Sequence, residues 1–122
     1  MRLAALLILA IALSGCVTTT RQYEWGDYDS KLYASYKDPS KTEALTISLE
    51  NHINQLEQNR MKPPPGLYAE LGTLYLQAGS QDKAITMYGK ERDAWPESKG
   101  LMDAMIKNLE RRKDLAEGNT KS

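Results

Sequence analysis

The sequence predicts an all-α domain of about five helices, and three observations lead there. The chain has a single Val, Val17, and no Phe. Residues that favour strands are therefore scarce, and Leu, Ala, Met and Tyr supply most of the apolar surface. Between Tyr28 and Leu109, apolar residues recur at three- and four-residue spacing, the period of one helix face. Pro39, the run Pro63-Pro64-Pro65, Gly79 and Pro96 then cut the pattern into pieces of helix length.

The first residues carry an address. Met1 and Arg2 precede an unbroken apolar run over residues 3–13, which is 11 residues long. Crossing a bilayer takes about 20 residues, so the run fits the core of a secretory signal peptide. Leu13-Ser14-Gly15-Cys16 follows, a small-residue site ending in the chain's only Cys. This stretch resembles the bacterial lipobox. The resemblance implies cleavage before Cys16, lipidation of Cys16 with diacylglycerol and a further acyl chain, and a membrane-bound product. Two or more chains hold a protein on a membrane stably. The plain alternatives are an ordinary signal peptide, or a buried helix ending in Cys. Lipoproteins kept at the inner membrane commonly have Asp after the Cys. Here Val17 stands there, which implies the periplasmic side of the outer membrane.

The expected organisation is a signal peptide over 1–15, a lipidated tether over 16–27, a helical domain over 28–115 and a disordered tail over 116–122. The eleven residues 17–27 would reach about 35–40 Å when extended. Within them Tyr23 and Trp25 either pack on the domain or sit at the membrane interface. Packing is the expectation, because an aromatic pair in a short tether usually caps a core.

In the domain, Tyr28, Leu32 and Tyr36 fall at i, i+4, i+8, with Tyr33 beside them, and predict a helix ending before Pro39. Ser40 and Glu43 have the spacing of a capping box. They would open a long helix with Leu45, Leu49, Ile53 and Leu56 on one face. His52 lies on that helix among Glu50, Asn51 and Asn54 and reads as a rim residue, since no catalytic partner can be argued for it. Residues 59–66 form a stiff connector whose last proline suits the first turn of a helix. A proline-rich ligand for an SH3-like groove would need a different setting. The next helix carries Tyr68, Leu71, Gly72, Leu74 and Tyr75. Gly79 suits the left-handed residue that ends it, and Ser80 suits the N-cap of its successor. That successor carries Ala84, Ile85, Met87 and Tyr88, and Trp95-Pro96 closes the hairpin.

Tyr68, Leu71, Gly72, Tyr75, Ala84, Tyr88 and Pro96 have the spacing of a tetratricopeptide repeat, and residues 65–98 resemble that unit. A generic helical hairpin is the plain alternative. Gly72 and Ala84 would lie where the two helices approach most closely. Glu91 departs from the repeat, which usually has a small apolar residue there. Carboxylates such as Glu43, Glu50, Asp82 and Glu91 are expected at solvent-facing or capping positions. From Lys99 on, Met102, Met105, Ile106 and Leu109 read as a terminal capping helix. Near its end Arg111, Arg112 and Lys113 suit the negative end of the helix dipole. Residues 28–58 match the repeat weakly.

Composition narrows the task. The 16 basic and 16 acidic residues cancel, leaving no field to hold nucleic acid. One Cys makes no internal disulfide, and with one His it makes no zinc site alone. No phosphate loop, paired metal motif or nucleophile elbow is present. No enzyme, cofactor or metal is expected. Through its lipobox, Tyr-rich first hairpin and one recognisable repeat, the chain also resembles a family of small Gram-negative lipoproteins of unknown function. Members are often encoded beside a lipoprotein similar to the curli-secretion channel CsgG. That resemblance implies an accessory or scaffold in envelope assembly or secretion, with an envelope protein, such as a CsgG-like lipoprotein, as partner. The rivals are a pilotin that escorts a secretin or pilus subunit and, from another class, an envelope enzyme, an enzyme inhibitor or a small-ligand carrier. The repeat register implies a binding face at Ala69, Thr73, Leu76 and Gln77. None of the four is Lys, Arg or Asn, so capture of a terminal carboxylate is disfavoured and an apolar or mixed partner surface is expected.

Overall fold

The computed structural model describes Tyr23 and residues 25–120. The expected signal peptide, Cys16 and the tether as far as residue 22 lie outside the described residues. Among those described, five α-helices and no strand follow one another: α1 (Tyr28–Lys37), α2 (Thr42–Gln58), α3 (Leu67–Gln77), α4 (Gln81–Ala94) and α5 (Lys99–Thr120). Each helix packs on the next in chain order, most extensively α3 on α4 and α4 on α5.

Two apolar clusters hold the helices together. In the first, Leu45, Leu49, Ile53 and Leu56 of α2 meet Leu67, Tyr68, Leu71 and Leu74 of α3. This is the α2 face that the spacing predicts. Trp25 and Tyr28 pack against its edge, and the Tyr23 ring meets Trp95 edge-on at 5.9 Å between centroids. Both tether aromatics therefore pack on the domain. In the second cluster, Ala84 and Tyr88 of α4 meet Met102 and Leu109 of α5. Gly72 lies at the α3–α4 crossing. A Cβ there would stand 2.8 Å from Cε1 of Tyr88 and 3.2 Å from the Ala84 carbonyl oxygen.

The connections explain the helix ends. Gly79 (φ 79°) closes α3 in a Schellman turn, with Ser80 N–H donating to the Tyr75 carbonyl at 2.8 Å and Gly79 N–H to that of Leu76 at 3.0 Å. The same pair of bonds closes α2, where Met61 N–H reaches Leu56 and Arg60 N–H reaches Glu57. There the left-handed residue is Arg60, at φ 56°.

Four sequence expectations need correction, and a fifth, Ser80, holds in position only. Ser40 and Glu43 form no capping box. Pro39 opens a 3₁₀ turn (Pro39–Lys41), and the Ser40 hydroxyl is spent on the Asp38 carboxylate at 2.7 Å. Ser80 does stand at the N-cap of α4, but its side chain makes no capping bond. Pro65 precedes the N-cap Gly66 rather than entering α3, while Pro63 and Pro64 are buried and pack as part of the domain. Glu91 is wholly buried (0 % exposed). Its Oε1 accepts from Gly66 N–H at 2.8 Å and from the Ser98 hydroxyl at 3.0 Å, tying the start of α3 to the turn before α5. Finally, α5 continues through Ala116 to Thr120 where a disordered tail is expected. No proline interrupts it, and Leu115, Ala116 and Glu117 are good helix formers that carry the helix past residue 115.

Candidate functional site

The four residues of the expected binding face divide. Ala69, Thr73 and Leu76 fall at i, i+4 and i+7 along α3, one stripe of a helix. Ala69 and Leu76 pack against the second cluster. Thr73 Oγ1 donates to the Ala69 carbonyl at 3.0 Å and lies 3.1 Å from the hydroxyl of buried Tyr88. It is therefore half committed to the core. Gln77 is about 100° further round the helix from Leu76 and opens toward α2 instead.

On the stripe's side, Leu76 lines an open groove of about 290 Å³ with Ala104, Met105, Asn108, Leu109 and Arg112 of α5. Leu76, Met105 and Leu109 give it an apolar floor. Exposed Asn108 and Arg112 give it a polar, cationic rim. The sequence reading missed this rim. The signal was the i, i+4 spacing of Asn108 and Arg112, which bracket buried Leu109 on α5, but Arg112 read as a complement to the helix dipole.

Gln77 lines a second opening of about 490 Å³ between α2 and the α3–α4 hairpin, with Ile47, Glu50, Tyr75 and Lys83. Here the Tyr75 hydroxyl donates to Glu50 Oε1, and Lys83 Nζ stands 4.9 Å from the Tyr75 ring centroid. Glu50 and Lys83 offset one another, and Tyr75 is already hydrogen-bonded, so little is left to recognise a charged ligand. A third, larger cleft of about 760 Å³ lies along α1 and α2 and includes Asp27, Lys31, Ser48 and His52. Lys31 Nζ is 2.6 Å from Asp27 and 2.7 Å from Ser48 Oγ. The Lys31 hydrogen bond holds the Asp27 carboxyl below its ordinary value. Its fixed charges are thus internally paired. His52 is half-buried, with its ring close beneath Gly26. Among the described residues, no group of three His, Cys, Asp or Glu side chains is placed to hold a metal ion. No helix among them is long and apolar enough to cross a membrane.

The α3–α5 groove therefore combines an apolar floor with the exposed guanidinium of Arg112, and it is the strongest candidate for recognising another molecule. Residues 22–105 match the family described as Domain of unknown function (DUF4810). The chain belongs to that family. No curated protein and no solved structure matches it. The DUF4810 match spans α1 to α4 and the first turns of α5, so it takes in Leu76, Ala104 and Met105. The groove's other wall, Asn108, Leu109 and Arg112, lies beyond the matched residues.

Proposed function

We propose that this DUF4810 protein is a lipid-anchored accessory of the outer membrane. In this reading it faces the periplasm and grips an envelope protein in the α3–α5 groove during assembly or secretion. Leu13-Ser14-Gly15-Cys16 supports the anchor. The likeness of residues 65–98 to a tetratricopeptide repeat supports protein binding, since hairpins of that kind offer the first helix of each unit to a partner. In this register α3 and α5 are those first helices. The observation that carries the reading is the groove between them, whose apolar floor and cationic rim suit a partner segment pairing an apolar side chain with an acidic or amide group. A CsgG-like lipoprotein is the partner class that the family resemblance suggests.

Ala104 and Arg112 are exposed, so Ala104→Arg with Arg112→Glu fills the groove and reverses its rim while sparing the core. Surface changes of this kind usually shift stability by less than about 0.5 kcal/mol. The expected result is an unchanged melting temperature with much reduced recovery of the crosslinked partner from membranes. Full recovery would refute the groove.

A further inference from the structure

Of the apolar residues that predict α1, Tyr28 packs on the first cluster while Leu32, Tyr33 and Tyr36 turn outward. Asp29, Leu32, Tyr33 and Tyr36, at i, i+3, i+4 and i+7, form its outward stripe. Tyr36 is 87 % exposed, Tyr33 61 % and Leu32 37 %. The side turned toward α2 has half-buried Tyr28, Lys31, Ala34 and Ser35, and no residue of α1 is fully buried. The domain thus leaves the more apolar half of an amphipathic helix without a partner.

We propose that this stripe lies in the interfacial layer of the lipid bilayer, with Leu32, Tyr33 and Tyr36 as its contacts. The inference rests on the anchored reading above. The path of the chain argues for lipid as the occupant. Tyr23 packs on Trp95 and Trp25 on the first cluster, so the domain takes up the chain at residue 23. Only seven residue steps separate Tyr23 from Cys16, a span of at most about 25 Å. The α1 helix starts five residues further on and is about 15 Å long. An anchor this short holds the point at which the domain takes up the chain within about 25 Å of the lipid, nearer than the 35–40 Å of a free eleven-residue tether, and α1 follows directly from that point.

The side chains suit that place. Tyrosine settles at the membrane–water boundary with its ring among the acyl ends and its hydroxyl among the headgroups. Asp29 at one end of the stripe offsets Lys37 at the other, whose Nζ lies 4.8 Å from the Tyr33 ring centroid. Contact is therefore carried by the rings and needs no anionic lipid.

The test uses the full lipidated chain in vesicles of phosphatidylethanolamine and phosphatidylglycerol. Tyr36→Cys carries a nitroxide, and Glu110→Cys, exposed on α5, is the control. Cys16 is the only native Cys and is consumed by the lipid, so each protein should take one label. The expected result is that collision with oxygen exceeds collision with a water-soluble nickel complex several-fold at position 36, with the reverse at 110. One label per chain with water-like accessibility at 36 would overturn the stripe alone. Dipolar broadening between labels at 36 would assign the stripe to a second copy and also overturn it. A second label on Cys16 would overturn the anchor, and with it the reason for placing lipid beside α1.

Discussion

Replacing Gly72 with Ala tests the helix crossing on which the rest of the fold depends. In an open helix this change is favourable by about 1 kcal/mol. At Gly72 the new methyl carbon would lie 2.8 and 2.9 Å from two ring carbons of Tyr88 and 3.2 Å from the Ala84 carbonyl oxygen. Tyr88 cannot yield cheaply. It is 0 % exposed and packs with Met102 and Leu109, and its hydroxyl meets Thr73 Oγ1. Overpacking of this sort costs about 1–3 kcal/mol, and contacts under 3 Å against a fixed ring belong in the upper half of that range. The net expectation is a loss of about 1–2 kcal/mol, or about 5–15 °C in melting temperature for a domain of this size. Gly89 is the internal control, since it too is helical but nothing stands within 4 Å of its Cβ position. Gly89→Ala should instead raise the melting temperature by about 4–8 °C. Thermal unfolding followed by far-ultraviolet circular dichroism reads both, and Gly72→Leu should fall below Gly72→Ala. Equal stabilisation by the two alanines would refute the close crossing of α3 and α4.

Other outcomes follow from particular contacts. Arg60→Gly should raise stability by about 0.5–1 kcal/mol in urea unfolding, because glycine adopts the left-handed conformation of that turn without strain. Glu91→Ala should cost about 2–3 kcal/mol by leaving Gly66 N–H and the Ser98 hydroxyl without their acceptor, and Glu91→Gln, which keeps one carbonyl acceptor, should cost less. Burial pushes the Glu57 carboxyl up, but hydrogen bonds from Lys90 and Tyr68 outweigh it and leave the group below its ordinary value. A carboxylate lowered by folding stabilises the fold above its unfolded value, and that contribution fades as pH falls through the folded one. Wild type should therefore lose more stability than Glu57→Gln as pH falls below about 5 in denaturation series. Cys16→Ser should abolish palmitate labelling, and equal label in both proteins would remove the anchor.

The legible parts of this fold were those in which one segment states its own environment. Leu45, Leu49, Ile53 and Leu56 repeat on one face of a helix with no rival apolar face, so the core of α2 could be read directly. Gly72 and Ala84 were legible because a residue with little or no side chain inside a strong helical pattern asks for a close neighbour. The α1 helix has two usable faces, and periodicity says which residues share a face without saying which face finds a partner. Its neighbour decides the matter: Lys31 reaches Ser48 and Asp27, and small Ala34 and Ser35 stand on the side that approaches α2, so Tyr33 and Tyr36 turn out. Glu91 was misread for a related reason. Its type says solvent, and the donors that stabilise it sit 25 residues before it and 7 after it, where no local pattern connects them. The groove shows both effects at once. Leu76 on α3 was legible, but Asn108 and Arg112 join it only through the packing of α5 beside α3, which no local pattern states. A tail disordered from residue 116 would have let the last turn fray and the Arg112 side chain drift. Continuation to Thr120 keeps Arg112 inside the helix, on the rim of the groove beside Leu76 and Leu109.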